Sequence, residues 1–170
     1  MTIEDLASSD GELLVFAIAG QFCAIPVGAV QEIVPMAALA RVPGQPSLLE
    51  GFLNLRGVAV PVLRLSRLFG LAPAEPGLHT PLIVLRGQPH PAGLLVDAVV
   101  EIACADAAGA FPIQENDCFN DCAQAQVQVG GRVVHVLSPE RLLLEKERQC
   151  VAELRAQAQH YLDELEARPA

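Results

Sequence analysis

Short runs of aliphatic and β-branched residues, most of them bounded by glycine, proline or polar turn residues, recur along most of this chain. Clear examples are LLVFAIAG, FCAIPV, VAVPVL, PLIVL, GLLVDAVVEI and RVVHVL. Apolar runs of about 4–8 residues between turn residues are typical of β-strands. Their near-regular spacing, with only short helices between them, predicts a mainly β fold built as one barrel or a pair of small barrels.

Glycines mark two of the predicted hairpins. Gly20 and Gln21 separate LLVFAIAG from FCAIPV, and Gly130 with Gly131 separates VQV from RVVHVL. Two-residue connections rich in glycine favour the tight turns that join antiparallel strands. Gly57, which stands next to another apolar run, is expected to supply a positive φ or a β-bulge.

Three short helices are predicted between the strands. VGAVQEIV has apolar residues at helical spacing and ends at Pro35, while SLLEGFLNL begins at Ser47 with Glu50 placed as in a capping box. RLSRLFGL resembles a helical turn and a half that ends at Gly70.

A longer helix is predicted at the C-terminal end. Ser138 can cap it and Pro139 suits its first position. Farther along, apolar side chains recur at alternating steps of three and four residues, namely Val151, Leu154, Ala158, Tyr161 and Leu165. This narrow seam favours either packing of the helix across the β lobes or a contact with another protein.

Composition limits the classes of partner. Apolar residues form 52% of the chain and charged residues 18%, which indicates a globular protein with a large core. The formal net charge of −9 and the single lysine disfavour binding to nucleic acid or anionic lipid. No apolar run is long enough to span a membrane, so membrane insertion is not expected. The acidic N-terminus does not resemble a signal peptide, and we expect a cytoplasmic protein.

Five cysteines at irregular spacing do not form a disulfide framework. Cys118 and Cys122 have a spacing that a metal could use, with His135 as a third ligand. A metal or thiol protein is therefore one alternative, although a second ligand pair of the usual kind is missing from the sequence. No cofactor is predicted.

No catalytic motif is present: GxSxG, GxxxxGK and HExxH are all absent from the sequence. Asp97 and Glu101 have an even spacing that fits one face of a strand as well as it fits an acid and base pair. The sequence therefore predicts a protein that is not an enzyme.

Arg56 is the unusual charge, because it interrupts the apolar run GFLNLRGVAVPVL and precedes Gly57. One interpretation is an ion pair that pins the turn, with Glu50 or another nearby carboxylate as partner. The other is an interface arginine, since a rigidly displayed guanidinium between apolar walls is common in binding hot spots.

Taken together, these segments resemble the chemotaxis coupling proteins of the CheW-like domain family. The matching pieces occur in family order: LLVFAIAGQFCAIPVGAVQEI, VPGQPSLLEGFLNLRGVAVPVLRL, PLIVL with GLLVDAVVEI, and RVVHVLSPERLL. The resemblance implies two small five-stranded β-barrels, similar to SH3 or OB barrels, that share a core and are followed by a C-terminal helix. It divides the chain into a flexible N-terminus (1–11), the double-barrel domain (12–144) and the C-terminal helix and tail (145–170).

The resemblance also implies a function and assigns residues to it. Such proteins are adaptors between the cytoplasmic tip of a methyl-accepting chemoreceptor and a CheA-type histidine kinase. By position, Arg56 matches a receptor-contacting arginine, with Asn54 and Gly57 shaping its turn. The implied roles of the other matched residues are a kinase or receptor interface for Val30, Glu32 and Ile33, and an architectural role for Asp97 and Val99. A small barrel that binds a peptide is a rival interpretation.

Overall fold

The computed structural model describes residues 11–72, 74–87, 90–104, 119 and 121–168. The expected flexible segment 1–11 lies outside these residues except for Gly11. Within the described residues, the chain forms ten strands and two α-helices. They are β1 (Glu12–Ile18), β2 (Gln21–Pro26), β3 (Val30–Pro35), β4 (Leu49–Leu55), β5 (Val58–Arg64), α1 (Leu65–Leu68), β6 (Pro81–Leu85), β7 (Ala92–Leu95), β8 (Ala98–Cys104), β9 (Ala123–Val129), β10 (Arg132–Leu137) and α2 (Pro139–Ala167).

The strands form two five-stranded sheets. The first sheet has the order β8-β1-β2-β10-β9, and the second has the order β3-β6-β7-β5-β4. Each contains one parallel pair, β2 with β10 and β5 with β7, among antiparallel neighbours. The prediction of a mainly β fold with two five-stranded units is confirmed. Because the first sheet takes strands from both ends of the chain, the two units are not consecutive domains.

The sheets do not close into barrels. Among the described strands, no backbone ladder joins β8 to β9 or β3 to β4, so the prediction of closed barrels is wrong. In the second sheet, the edge of β4 is occupied by the preceding connection, where Ala40 and Phe52 exchange backbone hydrogen bonds of 2.9 and 2.7 Å. This isolated bridge pairs backbone N–H and C=O groups on the edge of β4. A ladder between β3 and β4, which would close the sheet, would need those same groups.

Three hairpins have two-residue turns with positive φ at both positions. They lie at Ala19–Gly20, Arg56–Gly57 and Gly130–Gly131. This geometry is the type I′ turn, whose twist matches that of the flanking strands. The two hairpins predicted from glycine are confirmed, although the first turn consists of Ala19 and Gly20 and not of Gly20 and Gln21. The positive φ expected at Gly57 is also confirmed, at 86°.

Two of the predicted helices are strands. VGAVQEIV forms a single 3-10 turn at Val27–Ala29 and then β3, while the segment expected to be a helix from Ser47 becomes β4. β3 pairs with β6, and β4 pairs with β5. An apolar run of this length is compatible with both the 3.6-residue period of a helix and the two-residue period of a strand. Pairing with a distant strand decides which of the two forms. The helix predicted before Gly70 is confirmed as α1.

A shared apolar core lies between the two sheets. It contains Phe16 and Ile25 from the first sheet, Leu63 and Ile83 from the second, and Leu142 from α2, all with no exposed area. Each sheet also curves around a smaller cluster of its own, centred on valines and leucines. The common core and the two smaller clusters supply the buried apolar area that a chain of this size needs for a stable fold.

The C-terminal helix begins as predicted. The Ser138 hydroxyl accepts a hydrogen bond from the backbone N–H of Arg141, and Pro139 occupies the first turn. Leu142 anchors this turn in the shared core. The helix then continues without a break through the predicted boundary at 144/145 to Ala167.

Gly51 is expected to be essential for covering the edge of β4. A Cβ atom at this position would lie 2.8 Å from the carbonyl oxygen of Ala40 and 2.9 Å from the Cβ of Leu39. Because backbone must move to relieve this overlap, Gly51→Ala should lower the free energy of unfolding by about 1–3 kcal/mol, measured by urea denaturation. The matched control is Gly28→Ala, since a Cβ there meets no atom within 4 Å. Equal losses in the two variants would contradict the steric explanation.

Candidate functional site

The tip of the β4–β5 hairpin displays Arg56. The side-chain oxygen of Asn54 accepts a hydrogen bond of 2.9 Å from the backbone N–H of Gly57, which closes the turn. Arg56 itself has a φ of 49°, a conformation that a side chain adopts at a cost, and the flanking strands hold it there. As a result, its side chain projects from a fixed turn and remains 73% exposed.

Arg56 forms a bidentate ion pair with Glu32. The two guanidinium nitrogens donate to the two carboxylate oxygens at 3.0 and 3.1 Å. Glu32 lies on β3, one edge of the second sheet, whereas Arg56 ends β4, the opposite edge. A side-chain bridge therefore spans the opening that no backbone ladder closes. The structure thereby joins one residue from each of the two groups to which the resemblance assigned partner contacts.

Glu50, named in the sequence analysis as a partner for Arg56, has other contacts. Its carboxylate is buried and faces Arg41, Arg64 and Arg67 at 3.3, 3.4 and 3.6 Å. The ion pair that pins the turn is made with another carboxylate, that of Glu32. Nothing local in the sequence indicates this pairing, because the two residues are 24 positions apart and meet only through the strand order.

Exposed apolar side chains occur on the strands that flank the ion pair. Ile33 on β3 is 44% exposed and Val58 on β5 is 47% exposed, while Val30 packs partly against the shared core. An open groove beside the turn is lined by Ala40, Phe52, Leu53, Asn54, Gly57 and Ala59. The surface therefore combines one fixed cation, one carboxylate and a shallow apolar groove. We call this surface, from Val30 to Ile33 and from Phe52 to Ala59, the hairpin face.

The ion pair on the hairpin face is available for exchange with a partner. An ion pair at this exposure contributes only about 0–1 kcal/mol to stability, since water and salt screen it. The guanidinium has five N–H donors, and the contact with Glu32 uses two of them. Arg56 can therefore donate to a second acceptor without first breaking its existing contact.

Asp97 and Val99 lie elsewhere, at the first sheet. A carboxylate oxygen of Asp97 accepts a hydrogen bond of 2.7 Å from the N–H of Ala19, and the Asp97 N–H donates to the carbonyl of Ala17 at 2.9 Å. These contacts join the turn before β8 to the β1–β2 hairpin. Val99 packs against the shared core.

The cysteine and histidine alternative receives little support from the described residues. Cys118 lies outside them, so the predicted pair is not tested as a pair. Cys122 is buried, and this burial together with the charge of Glu145 raises the pKa of its thiol to about 11. The raised pKa makes this thiol a poor nucleophile, because nucleophilic attack needs the thiolate. Within the described ranges, no three His, Cys, Asp or Glu side chains form a group that could hold a metal ion.

No helix in the described part of the chain combines the length and the apolar content that crossing a membrane requires.

Comparison with known proteins gives a consistent result. A family model of the CheW-like domain matches residues 12–147. The probable chemotaxis protein CheW of Rhizobium etli is 29% identical over 147 residues, which cover 85% of this chain and 95% of that protein. The chemotaxis protein CheW of Thermotoga maritima is 27% identical and covers 82% of this chain and 91% of its own length. The crystal structure of scaffolding protein TtCheW from Thermoanaerobacter tengcongensis has the same fold, with a TM-score of 0.71 at 23% identity over 77% of this chain and 90% of that one.

Proposed function

Since the chain belongs to the CheW-like domain family, we propose that it is a non-catalytic adaptor that couples methyl-accepting chemoreceptors to a CheA-type histidine kinase in a chemosensory array. It acts in the cytoplasm and needs no cofactor. Arg56, Asn54 and Gly57 bind the receptor, and Val30, Glu32 and Ile33 contribute to the kinase or receptor interface. Asp97 and Val99 have architectural roles, which their contacts to the β1–β2 hairpin and the shared core support.

The observation that carries the proposal is the display of Arg56 on the hairpin face. A receptor tip is a bundle of helices, which offers carboxylates, backbone carbonyls at helix ends and apolar ridges. A guanidinium held at a fixed turn can donate to such an acceptor with little loss of conformational entropy. The groove beside it and the exposed Ile33 and Val58 supply apolar area for the ridge of a helix.

Glu32 has a positioning role in this proposal. Its bidentate contact holds the guanidinium plane of Arg56 over the hairpin face. The carboxylate of Glu32 also adds a negative charge beside Arg56. This charge repels acidic side chains of a partner that approaches from the side of β3. Both effects favour a partner that approaches along the groove.

Arg56→Ala is expected to weaken attachment to the receptor by about tenfold or more, as for a central interface arginine. The free energy of unfolding should change by no more than about 1 kcal/mol, because the lost ion pair is exposed. The measurement is co-sedimentation of the purified chain with receptor cytoplasmic fragments and a CheA-type kinase from the same source, together with a urea denaturation curve. Kinase binding should be retained.

A matched control is Arg132→Ala. Arg132 directly follows a type I′ turn, whereas Arg56 lies within one; Arg132 belongs to the first sheet, and its guanidinium stacks over the ring of Phe22 at 4.9 Å. This variant should bind the receptor as the wild type does. If the folded wild type binds neither receptor nor kinase, the proposed function is wrong. If Arg56→Ala loses stability and keeps receptor binding, the arginine is only a structural residue of the turn.

A further inference from the structure

The distal half of α2 extends away from the two sheets. Its proximal half is anchored by Leu142 in the shared core. Two hydrogen bonds add to this anchor. The Gln149 side chain donates to the carbonyl of Leu68 at 3.1 Å, and the Glu153 carboxylate accepts from the N–H of Ser47 at 3.0 Å. From Leu154 to Arg168, every residue is exposed. The expectation that the whole helix packs across the β lobes is therefore wrong for this half.

The distal half carries the apolar seam found in the sequence. The exposed fractions are 48% for Val151, 53% for Leu154, 62% for Tyr161 and 45% for Leu165, with Leu162 beside them at 54%. Alternating steps of three and four residues have the 3.5-residue period that a second helix in a left-handed supercoil covers. The seam begins after residue 147, where the match to the family model ends. It therefore lies beyond the part of the chain that the family model matches.

We propose that this seam pairs with the same seam of a second copy of the chain, with the two helices antiparallel. In the register centred between Gln159 and His160, Leu154 faces Leu165 of the second copy and Ala158 faces Tyr161. The layer of Ala158 and Tyr161 then matches a small side chain with a large one, and the layer of Leu154 and Leu165 packs leucine on leucine. Val151 lies opposite Arg168, the C-cap residue of the helix. A parallel pair would instead place Ala158 against Ala158 and Tyr161 against Tyr161, which leaves a void beside a crowded layer.

The side chains that flank the seam agree with this arrangement. In the same register, the aliphatic stem of Arg155 covers Leu162 of the second copy, and the amide of Gln157 reaches the carboxylate of Glu164. The overlap of residues 151–168 is about 27 Å long and lies mainly beyond the part of α2 that the sheets hold. The antiparallel arrangement thus places the two β bodies at opposite ends of the helix pair. An interface of two such short helices is small, so the dimer is weak and reversible.

The test is sedimentation velocity of the full chain from low micromolar to near-millimolar concentration, with Leu154→Glu and Ala156→Glu as matched variants. Both add one negative charge to an exposed helical position, but Ala156 lies on the side of the helix opposite the seam. The wild type and Ala156→Glu should form dimers as concentration rises, and Leu154→Glu should raise the dissociation constant about tenfold or more. A wild type that remains monomeric overturns the proposal, as does equal dimerisation of both variants. Retained α2 helicity by circular dichroism excludes unfolding as the cause.

Orientation is tested by disulfide formation. Chains with Leu154→Cys and Leu165→Cys are mixed under mild oxidation, and bonds are identified by peptide mass mapping, which separates them from any bond of the native cysteines. The antiparallel pair predicts bonds between positions 154 and 165, whereas bonds mainly between 154 and 154 overturn that orientation. Dimerisation does not depend on the adaptor function. Its failure would leave receptor and kinase binding by the hairpin face unaffected.

Discussion

Replacing Glu50 with alanine is expected to lower the free energy of unfolding by about 3–5 kcal/mol, because the change leaves a buried guanidinium without its counter-charge. Glu50 and Arg64 are both only 6% exposed. The carboxylate of Glu50 lies 3.4 Å from one guanidinium nitrogen of Arg64, while the other donates to the carbonyl of Ala74. Once Glu50 is gone, that carbonyl is the remaining acceptor that the structure shows for Arg64.

The matched control is Glu32→Ala, which removes the same side chain from the exposed arginine pair of the second sheet. Glu32 pairs with an arginine that is 73% exposed, so this loss should not exceed about 1 kcal/mol. Urea denaturation of both variants gives the comparison directly. Equal losses would show that the buried network contributes no more than a surface pair.

A double variant separates the ion pair from packing. Replacing Glu50 and Arg64 together with leucine and methionine removes both charges and keeps most of the volume. Buried ion pairs replaced in this way often lose little stability. The double variant should therefore be more stable than Glu50→Ala alone. If it is less stable, the network contributes favourable energy beyond the avoidance of an unpaired charge.

Much of the fold could be predicted because its signals are local. The strands LLVFAIAG and RVVHVL, the turns at Gly20 and Gly130–Gly131, and the cap at Ser138 depend on side chains within a few positions. Their physical causes are the preference of β-branched residues for strands, the positive φ of type I′ turns and the unpaired N–H groups of a helix end.

The errors arise where distant parts of the chain decide the structure. β3 and β4 were predicted as helical segments, since their short apolar runs fit a helix until β6 and β5 provide hydrogen-bond partners. Whether a sheet closes depends on every strand at once, and here Ala40 occupies the edge of β4. The partner of Arg56 likewise follows from strand order. The position of Arg56 at a candidate site could be predicted from sequence, but its contact with Glu32 could not.

The two carboxylate networks of the second sheet have different consequences. The Glu50 network joins the connection before β4 to β5 and α1, and its central pair, Glu50 with Arg64, is buried, so separating that pair would leave a buried charge without a partner. In the Arg56 and Glu32 pair the guanidinium is 73% exposed and the carboxylate 25% exposed, so water can replace the carboxylate as the partner of Arg56 at little cost. The same two residue types thus stabilise the fold where they are buried, at Glu50 and Arg64. They can form contacts with a partner where they are exposed, at Arg56.

Phe119→Ala is expected to be the second strongly destabilising change, with a loss of about 3–5 kcal/mol. Phe119 has no exposed area and packs edge-on against Phe69, with 5.1 Å between ring centres. Its other side meets the ring of His135 on β10 at 4.7 Å. Since Phe69 directly follows α1, next to the second sheet, and His135 belongs to the first, this ring links the two lobes.

Removing the ring should therefore leave a cavity in the shared core that neither lobe can close alone. For a chain of this size, the melting temperature should fall by on the order of 10 °C, measured by calorimetry or circular dichroism. Phe22→Ala is the matched control, since Phe22 is half-buried at the first sheet and its ring faces Arg132. It should lose about 1–2 kcal/mol. If Phe119→Ala costs no more than this control, the contact between the lobes depends on the aliphatic core and not on the aromatic ring.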